Sequence, residues 1–394
     1  MLCLYCDFLI AIGFSRTEPT FEFLPSQVRY LDKDIFATDD SDESEFNDQF
    51  FDWTFPYRED RVMNDGCSRI SLGAAKMVWA NHPASRGCTL PSVFQARIGP
   101  AKGIWSISAS PDSACAEDHD IWIEITPSQV KFDPHLEDRN QDGKHDPVRL
   151  TFEVCEYSRP LRPSNLHKAF LPILVDRKVP QEIILDYVRN SLSQGRETLL
   201  DMVKVPSDTK RWVKNTYRSF LDKTNEVSWL GGEPDSLAEN AIFLLKAGFE
   251  PTKLPYLADK IRDMVYNYFS RMLATLKLPC SRSTFAFGIA DPTGSLRPGQ
   301  IHLLFSEAFK HPEGGYISLD GFEVLVTRHP TLRASDIQKH RGVYHHKLRH
   351  IHDVVVFPSV GPFPLADKLQ GGDYDGVSIG LYRLNKRAKL IECS

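Results

Sequence analysis

The sequence has no apolar run approaching the ~20 residues that a membrane-spanning helix needs, which argues against a membrane partner. It lacks a second cysteine pair. Its eight cysteines stand at 3, 6, 67, 88, 115, 155, 280 and 393, and only Cys3 and Cys6 have metal-like spacing. Without a partner pair a structural zinc site is not expected. In a chain of 394 residues the scattered cysteines are expected to be reduced thiols in an intracellular compartment, nuclear or cytoplasmic. A strong excess of one charge is also missing. The formal net charge is -5, so the protein is not a generic nucleic-acid glue. Finally, the apolar stretch Met1–Phe14 carries Asp7 and has neither a basic n-region nor a clear small-residue cleavage site. It is read as a strand or buried element and not as a secretory signal.

What is present is ordinary globular composition, 42% hydrophobic and 25% charged, in a chain long enough for two or three domains. Charge is placed unevenly. Asp39–Asp48 is an acidic, serine-containing run that reads as a solvated linker. Arg328–His350 holds six Lys/Arg, one Asp and five His. A phosphate-facing channel and a solvated basic face both fit that stretch.

Residues 1–58 are poorly patterned and form a lead-in. Residues 59–160 read as a first β-rich domain, with short β runs at Phe94–Ile98, Gly103–Ser108, Ile121–Ile125 and Val148–Val154 and a polar insert at Asp133–Pro147. Residues 161–280 turn helical. Three stripes have helical spacing and are expected to be core faces: Ile183, Ile184, Tyr187, Val188 and Leu192; then Ala238, Ile242, Leu244 and Leu245; then Ile261, Met264, Val265, Tyr268, Phe269 and Met272. Residues 281–377 return to strands at Thr284–Ile289, Ile301–Phe305, Phe322–Thr327 and Val354–Phe357, and 378–394 read as a divergent basic tail. The expected class is α+β, two β-barrel-like domains joined by a helical connector.

The segment richest in chemistry is Gly371-Gly372-Asp373-Tyr374-Asp375-Gly376. Carboxylates at i and i+2 of an extended backbone can point to one side, and flanking glycines let it bend tightly against a ligand. Such a loop suits Mg²⁺, which takes oxygen ligands and keeps waters and substrate phosphates in its shell. Taken alone, Asp-x-Asp-Gly is more readily a solvated turn. Other signals are weaker. Asp138–Gly143 imitates the start of a calcium loop, but Arg149 stands where a bidentate glutamate is required, so a polar surface loop is expected. His345, His346 and His350, beside Lys347 and Arg349, read as a basic surface. Gly99–Gly103 is too short for a phosphate-binding P-loop.

The context of the Asp-x-Asp loop is specific. Upstream, in order, stand Gly288-Ile-Ala-Asp-Pro-Thr-Gly294, Val324-Leu-Val-Thr-Arg-His-Pro330 and Asp353-Val-Val-Val-Phe-Pro358. Earlier come Asp65-Gly66-Cys67, then Pro91-Ser-Val-Phe-Gln-Ala-Arg-Ile-Gly-Pro-Ala-Lys-Gly103, then Pro127-Ser-Gln-Val-Lys-Phe132. This series, from about residue 61 to 376, resembles the eukaryotic RNA-directed RNA polymerases of the RNA-silencing type, in a fungal-like form. The resemblance implies two double-psi β-barrels facing each other across an active site. It implies Asp373 and Asp375 as the catalytic and metal-holding aspartates, with Mg²⁺ (Mn²⁺ as a substitute) as cofactor. Lys102 would neutralise charge on the triphosphate, and Arg97, Lys131 and Arg328 would face substrate or RNA. The implied partners are a single-stranded RNA template and nucleoside triphosphates. Two departures stand out: Thr126 replaces an arginine of the family pattern, and Val377 replaces its third aspartate. After Val377 the resemblance stops abruptly, as a shifted reading frame, retained intron or degenerate copy would produce. The expected polymerase is therefore incomplete, weakly active or inactive, and the alternative is a non-catalytic RNA-binding remnant.

Overall fold

A computed structural model describes residues 17–38, 60–108, 120–139, 145–217 (except 167 and 169), 234, 236–311 (except 277), 314–328, 331, 333–369, 374 and 378–383. Met1–Phe14, Asp39–Asp48, Asp373, Asp375, Val377 and residues 384–394 lie outside the described residues.

The β-branched and aromatic runs of the first half build a seven-stranded sheet. Its strands are β1 (Glu18–Glu22), β2 (Val28–Tyr30), β3 (Cys67–Ser71), β4 (Val93–Ile98), β5 (Ala101–Ser108), β6 (Ile123–Ile125) and β7 (Thr151–Tyr157), in the order β1-β7-β4-β5-β3-β6-β2. β4 and β5 form a tight antiparallel hairpin, whereas β3 and β5 run parallel, with Cys67 opposite Ile104. Alternation along the strands sends Phe94, Ala96, Ile98, Ala101 and Trp105 into one core with Phe152 and Val154. Helix α1 (Leu72–Asn81) closes that core with Ala74, Ala75, Val78 and Trp79. Its start is fixed by Ser71, whose hydroxyl accepts the Ala74 amide at 3.2 Å.

Several sequence expectations are corrected here. The lead-in contributes β1 and β2, both edge strands. They are too short to show a pattern and are held by backbone pairing. Helix α1 lies inside the stretch read as all β; it is buried so broadly that it has little amphipathic signal. Pro147–Leu150 is a 3₁₀ turn, so the strand expected from Val148 begins at Thr151.

The second sheet is built from β10 (Ser283–Ala290), β11 (Gln300–Ile301), β14 (Glu323–Arg328), β15 (Ile337–Gly342), β16 (Val354–Phe357) and β17 (Ser378–Arg383), in the order β11-β15-β14-β17-β10-β16. A hairpin of β12 (Leu304–His311) and β13 (Gly314–Ser318) adjoins it. The sheet curls until its two edges meet. His302, next after β11, bridges Val356 of β16, with reciprocal amide–carbonyl bonds of 3.1 and 2.9 Å. β17 pairs with both β10 and β14, at the middle of the order. Ser378–Arg383 thus belongs to the second sheet and not to a divergent tail. Its Ile379, Leu381 and Tyr382 are buried, and an alternating apolar strand is what such a position needs.

Both sheets belong to one compact unit, Met1–Ser164 with Ser281–Glu392. The other unit, centred on Asn165–Cys280, is helical. It contains α2 (Phe170–Asp176), α3 (Gln181–Val203), α4 (Pro206–Thr216), α5 (Leu237–Lys246) and α6 (Pro255–Thr275), with the strand pair β8 (Ser164–Leu166) and β9 (Leu278–Cys280). Val213, Ala238, Ala241, Ile242, Leu245, Leu257, Ile261 and Met264 form its core. The second and third apolar stripes supply that core. The first does not: on α3 only Leu199 is buried and Ile183 is 52% exposed. The rest of that stripe, Ile184, Tyr187, Val188 and Leu192, is half-buried. Among the described residues no helix is long and apolar enough to cross a membrane.

The closed second sheet buries two imidazoles. Burial lowers His302 to about 4, helped by neighbouring His345 and opposed by the Val343 and Leu348 backbone. Burial likewise lowers His340 to about 4, with Lys368 adding to the effect. Both values lie below the ordinary 6.5, so the unfolded chain takes up protons first as pH falls. The stability from keeping these rings neutral is fully present above pH 6.5 and is lost between 6.5 and 4, at up to about 1.4 kcal/mol per pH unit for each ring. Denaturant unfolding across that range should show the decline. His302→Gln should flatten the slope by close to one proton, and an unchanged slope would remove His302 from this account.

Candidate active site

Three motifs of the first sheet converge at one turn. Asn64 is buried; its side-chain oxygen accepts the Ile35 amide at 2.8 Å and its amide donates to the Cys67 carbonyl at 3.3 Å. Gly66 adopts φ 74°, and its carbonyl accepts the Ile104 amide at 2.8 Å and the Gln129 side-chain amide at 3.3 Å. Its own N–H donates to Ser128 Oγ at 3.2 Å, and that hydroxyl donates to Asp34 at 2.8 Å. Gly103 leaves room for the turn. A Cβ there would sit 2.3 Å from the Gly66 carbonyl oxygen. Thr126, in place of the arginine, is buried and shares a 3.2 Å hydrogen bond with Ser128.

The basic candidates gather on the same hairpin. Arg97 and Lys102 are direct cross-strand partners, both half-buried. By strand alternation they share a face with Val93 and Ile104, the face that enters the second sheet's core. Lys131 is exposed; its amide bonds the Pro100 carbonyl at 3.0 Å and its ammonium donates to the Ser128 carbonyl at 2.9 Å. Arg328 ends β14, opposite Ile379 near the start of β17.

In the second sheet the motif carboxylates are structural. Asp291 is wholly buried and accepts amides from Thr293 (2.7 Å), Ser295 (2.7 Å) and Leu296 (2.8 Å), with the Thr293 hydroxyl at 2.7 Å. It organises its own Pro-Thr-Gly loop and, through its carbonyl, receives the Ser359 hydroxyl at 2.8 Å. Asp353 holds φ 59° and accepts amides from Leu161 and Ser306, both at 3.3 Å. Phe357, at the end of β16, stacks on Tyr374 with ring centroids 5.9 Å apart. Tyr374 is 2% exposed, and its amide donates to the Asp65 carbonyl of the first sheet's turn at 3.3 Å. Burial raises its phenol well above the ordinary value, and the Cys67 thiol beside it adds to the rise.

Residues 9–378 match the family model described as RNA dependent RNA polymerase. The chain belongs to that family. It is 25% identical over 389 residues to the probable RNA-dependent RNA polymerase 2 of Oryza sativa subsp. japonica, covering 96% of this chain and 28% of the rice protein. It is 22% identical to RNA-dependent RNA polymerase 1 of Schizosaccharomyces pombe, covering 81% of this chain and 25% of that protein. The solved structure of the RNA dependent RNA polymerase QDE-1 from Thielavia terrestris matches with a TM-score of 0.76 and 32% identity, over 95% of this chain and 37% of the other. The chain therefore spans between a quarter and two fifths of the length of these relatives.

Within this polymerase-family fold, Arg97, Lys102 and Lys131 lie on or beside one hairpin, and Arg328 lies at the strand end that faces the start of β17. Among the described residues no three His, Cys, Asp or Glu side chains form a metal cluster, and His345 and His346 stack as rings 5.0 Å apart. His350 departs from the expected basic surface. It is half-buried, its Nε2 lies 3.1 Å from the Ile107 carbonyl, and burial lowers its pKa. Sequence reasoning missed Tyr374, the unspecified middle residue of the Asp-x-Asp pattern, and took no account of Asn64. The signal for both was their place inside a motif.

Gly103→Ala tests the convergence of the first-sheet motifs. The new methyl meets backbone, which cannot rotate away, so the hairpin must shift from the Gly66 turn. A loss of about 1–3 kcal/mol in denaturant unfolding is expected. A variant as stable as the parent would mean that the turn has slack.

Proposed function

We propose that the chain carries out template-directed RNA synthesis, transferring a nucleotidyl group from a nucleoside triphosphate to an RNA 3′-hydroxyl in a small-RNA silencing pathway. The two sheets are taken to be the facing double-psi β-barrels of the family, at residues 59–160 and from 281 onward. The parallel β3–β5 and β10–β16 pairings and the closing His302–Val356 bridge support this.

One observation carries the reading. Tyr374, the residue between the two aspartates, packs beside Cys67, and Cys67 pairs in register with Ile104. Lys102 stands two residues from Ile104 on the same face, roughly 7 Å along the strand. The residue between the two aspartates and the basic hairpin thus approach a common place.

Asp373 and Asp375 are the residues that would hold Mg²⁺ or Mn²⁺, and an all-oxygen donor set fits such hard cations. The ion, when bound, supplies charge compensation for attack by the 3′-hydroxyl and for departure of pyrophosphate. Lys102, with Arg97 beside it, neutralises the triphosphate, while Lys131 and Arg328 meet backbone phosphates. Val377 offers no oxygen, which lowers metal affinity and favours, as the second reading, an RNA-binding protein without turnover. Intracellular residence, nuclear or cytoplasmic, follows from the substrates.

Nucleotide incorporation on a single-stranded RNA template tests the reading. Because β17 is in place behind the loop, Val377→Asp alone should raise incorporation by about 10²-fold or more over the unmodified chain, since misplacing a reacting group by about 1 Å costs that much. Asp375→Asn should abolish what activity there is. Incorporation indifferent to both substitutions would refute the assignment. Folded Val377→Asp that binds RNA but stays silent would favour the binding-only reading.

RNA binding gives a second test. Affinity should fall as salt rises, and Arg97→Ala with Lys102→Ala should shallow the log–log slope by roughly 0.7 for each cation removed. A slope equal to the parent's would place the RNA elsewhere.

A further inference from the structure

Resting on the reading just given only for its ligand, single-stranded RNA, we propose a second contact for that strand, away from the hairpin. It is the turn 341–349 of the second sheet, with Tyr344 as the platform for a base and Arg341 and Lys347 as partners of the flanking phosphates. Residues 337–352 hold four Lys/Arg, five His and neither Asp nor Glu, in a chain whose net charge is -5. The fold sorts these groups. His340 is buried, Lys339 pairs with Glu323 at 2.9 Å, and His350 Nε2 lies 3.1 Å from the Ile107 carbonyl. Arg341, Tyr344, His346, Lys347 and Arg349 are left exposed, Tyr344 at 49%. Every exposed residue of the turn is thus basic or aromatic.

The turn is moored along its length, which makes it a built surface. The Arg341 amide donates to the Gly299 carbonyl at 3.0 Å and the Val343 amide to the Ile301 carbonyl at 2.9 Å. This seats Arg341 beside loop 297–299, whose Arg297 is exposed as well. The Tyr344 amide donates to the Asp320 carboxylate at 2.9 Å and the His345 amide to His302 Nδ1 at 3.2 Å. A 3₁₀ turn at His346–Leu348 then buries Leu348, and beyond it the His352 amide donates to Ser92 Oγ at 2.9 Å. Cations interleaved with an aromatic ring fit a single strand: Lys and Arg neutralise phosphates, and a base of any identity stacks on the ring. An acidic peptide would use the cations and leave Tyr344 without a stacking partner. Ile107 stands five residues beyond Lys102 on β5, so the turn meets the first sheet roughly 17 Å from Lys102. A strand lying on both places is held twice, and each contact raises its effective concentration at the other.

The test uses the full chain and a long single-stranded oligouridine. With bromouridine in the strand, irradiation of the complex with the unmodified protein should crosslink the peptide that contains Tyr344. In titrations Tyr344→Ala should weaken binding about fivefold or more, while Tyr344→Phe stays within about twofold of the parent. Arg341→Gln with Lys347→Gln should shallow the log–log salt slope by roughly 0.7 for each cation removed. That loss should add to the loss from Arg97→Ala with Lys102→Ala, because the two places are well separated. The substituted turn side chains are exposed, so these variants should unfold as cooperatively as the parent. The crosslink in the unmodified protein decides the matter for any that does not. A crosslink confined to peptides without Tyr344, a Phe variant as weak as the Ala variant, or a Gln pair with the parent's slope would each overturn the second contact. The proposed function would still stand if the hairpin pair loses affinity. Polyglutamate competing as well as RNA would show a general anion surface and overturn the proposal too. No RNA binding by the parent at low salt would sink the polymerase reading, and this proposal with it.

Discussion

Cys67, Val93 and Ile104 belong by strand to the first sheet and by burial to the core of the second. The rest of the β unit depends on this shared layer. A β-sheet has two faces, and here the first sheet buries both: one under helix α1, the other against the second sheet. Because the layer is apolar and continuous, neither sheet can slide over the other without exposing it, at about 25 cal/mol for each Å² returned to water. Polar contacts then fix the register. Ser92 Oγ accepts the His352 amide at 2.9 Å, and Thr38 and Gly361 exchange bonds of 2.9 and 3.0 Å.

Several polar residues of the sequence motifs are the means by which loops are held. Asp291 and Asp353 are buried carboxylates whose oxygens accept backbone amides. A buried carboxylate without such partners would cost several kcal/mol, so the amides and the acid require each other. The same logic holds at Ser128, which joins Asp34 to the Gly66 turn. A motif in this family is thus partly a record of loop construction.

Electrostatics and packing are coupled at the joint between the sheets. Lys102 and Arg97 sit half-buried on a face they share with Val93, Gln95, Ile104 and Ser106. Low local dielectric strengthens the interaction of a half-buried cation with any charge it meets, compared with a solvated one.

The sequence by itself determined the family: the order of the motifs can be read along the chain, and the Asp-x-Asp pair and the Val377 departure with it. It also determined the later two helical stripes, since apolar spacing at 3.6 residues reports burial when a partner lies within the same unit. It misjudged α3, where the spacing is present but the stripe is half-buried at most among the described residues, and it missed β1 and β2, whose places come from backbone pairing that side-chain pattern does not encode. Only the tertiary structure decided that Ser378–Arg383 is a central strand, that Asp291 and Asp353 hold loops, and that Tyr374 meets Asp65 across more than 300 residues of chain. The physical reason is one of range. Local pattern specifies which face of an element is apolar, but which other element covers that face, and which buried polar atoms find each other, is settled by contacts between segments distant in sequence.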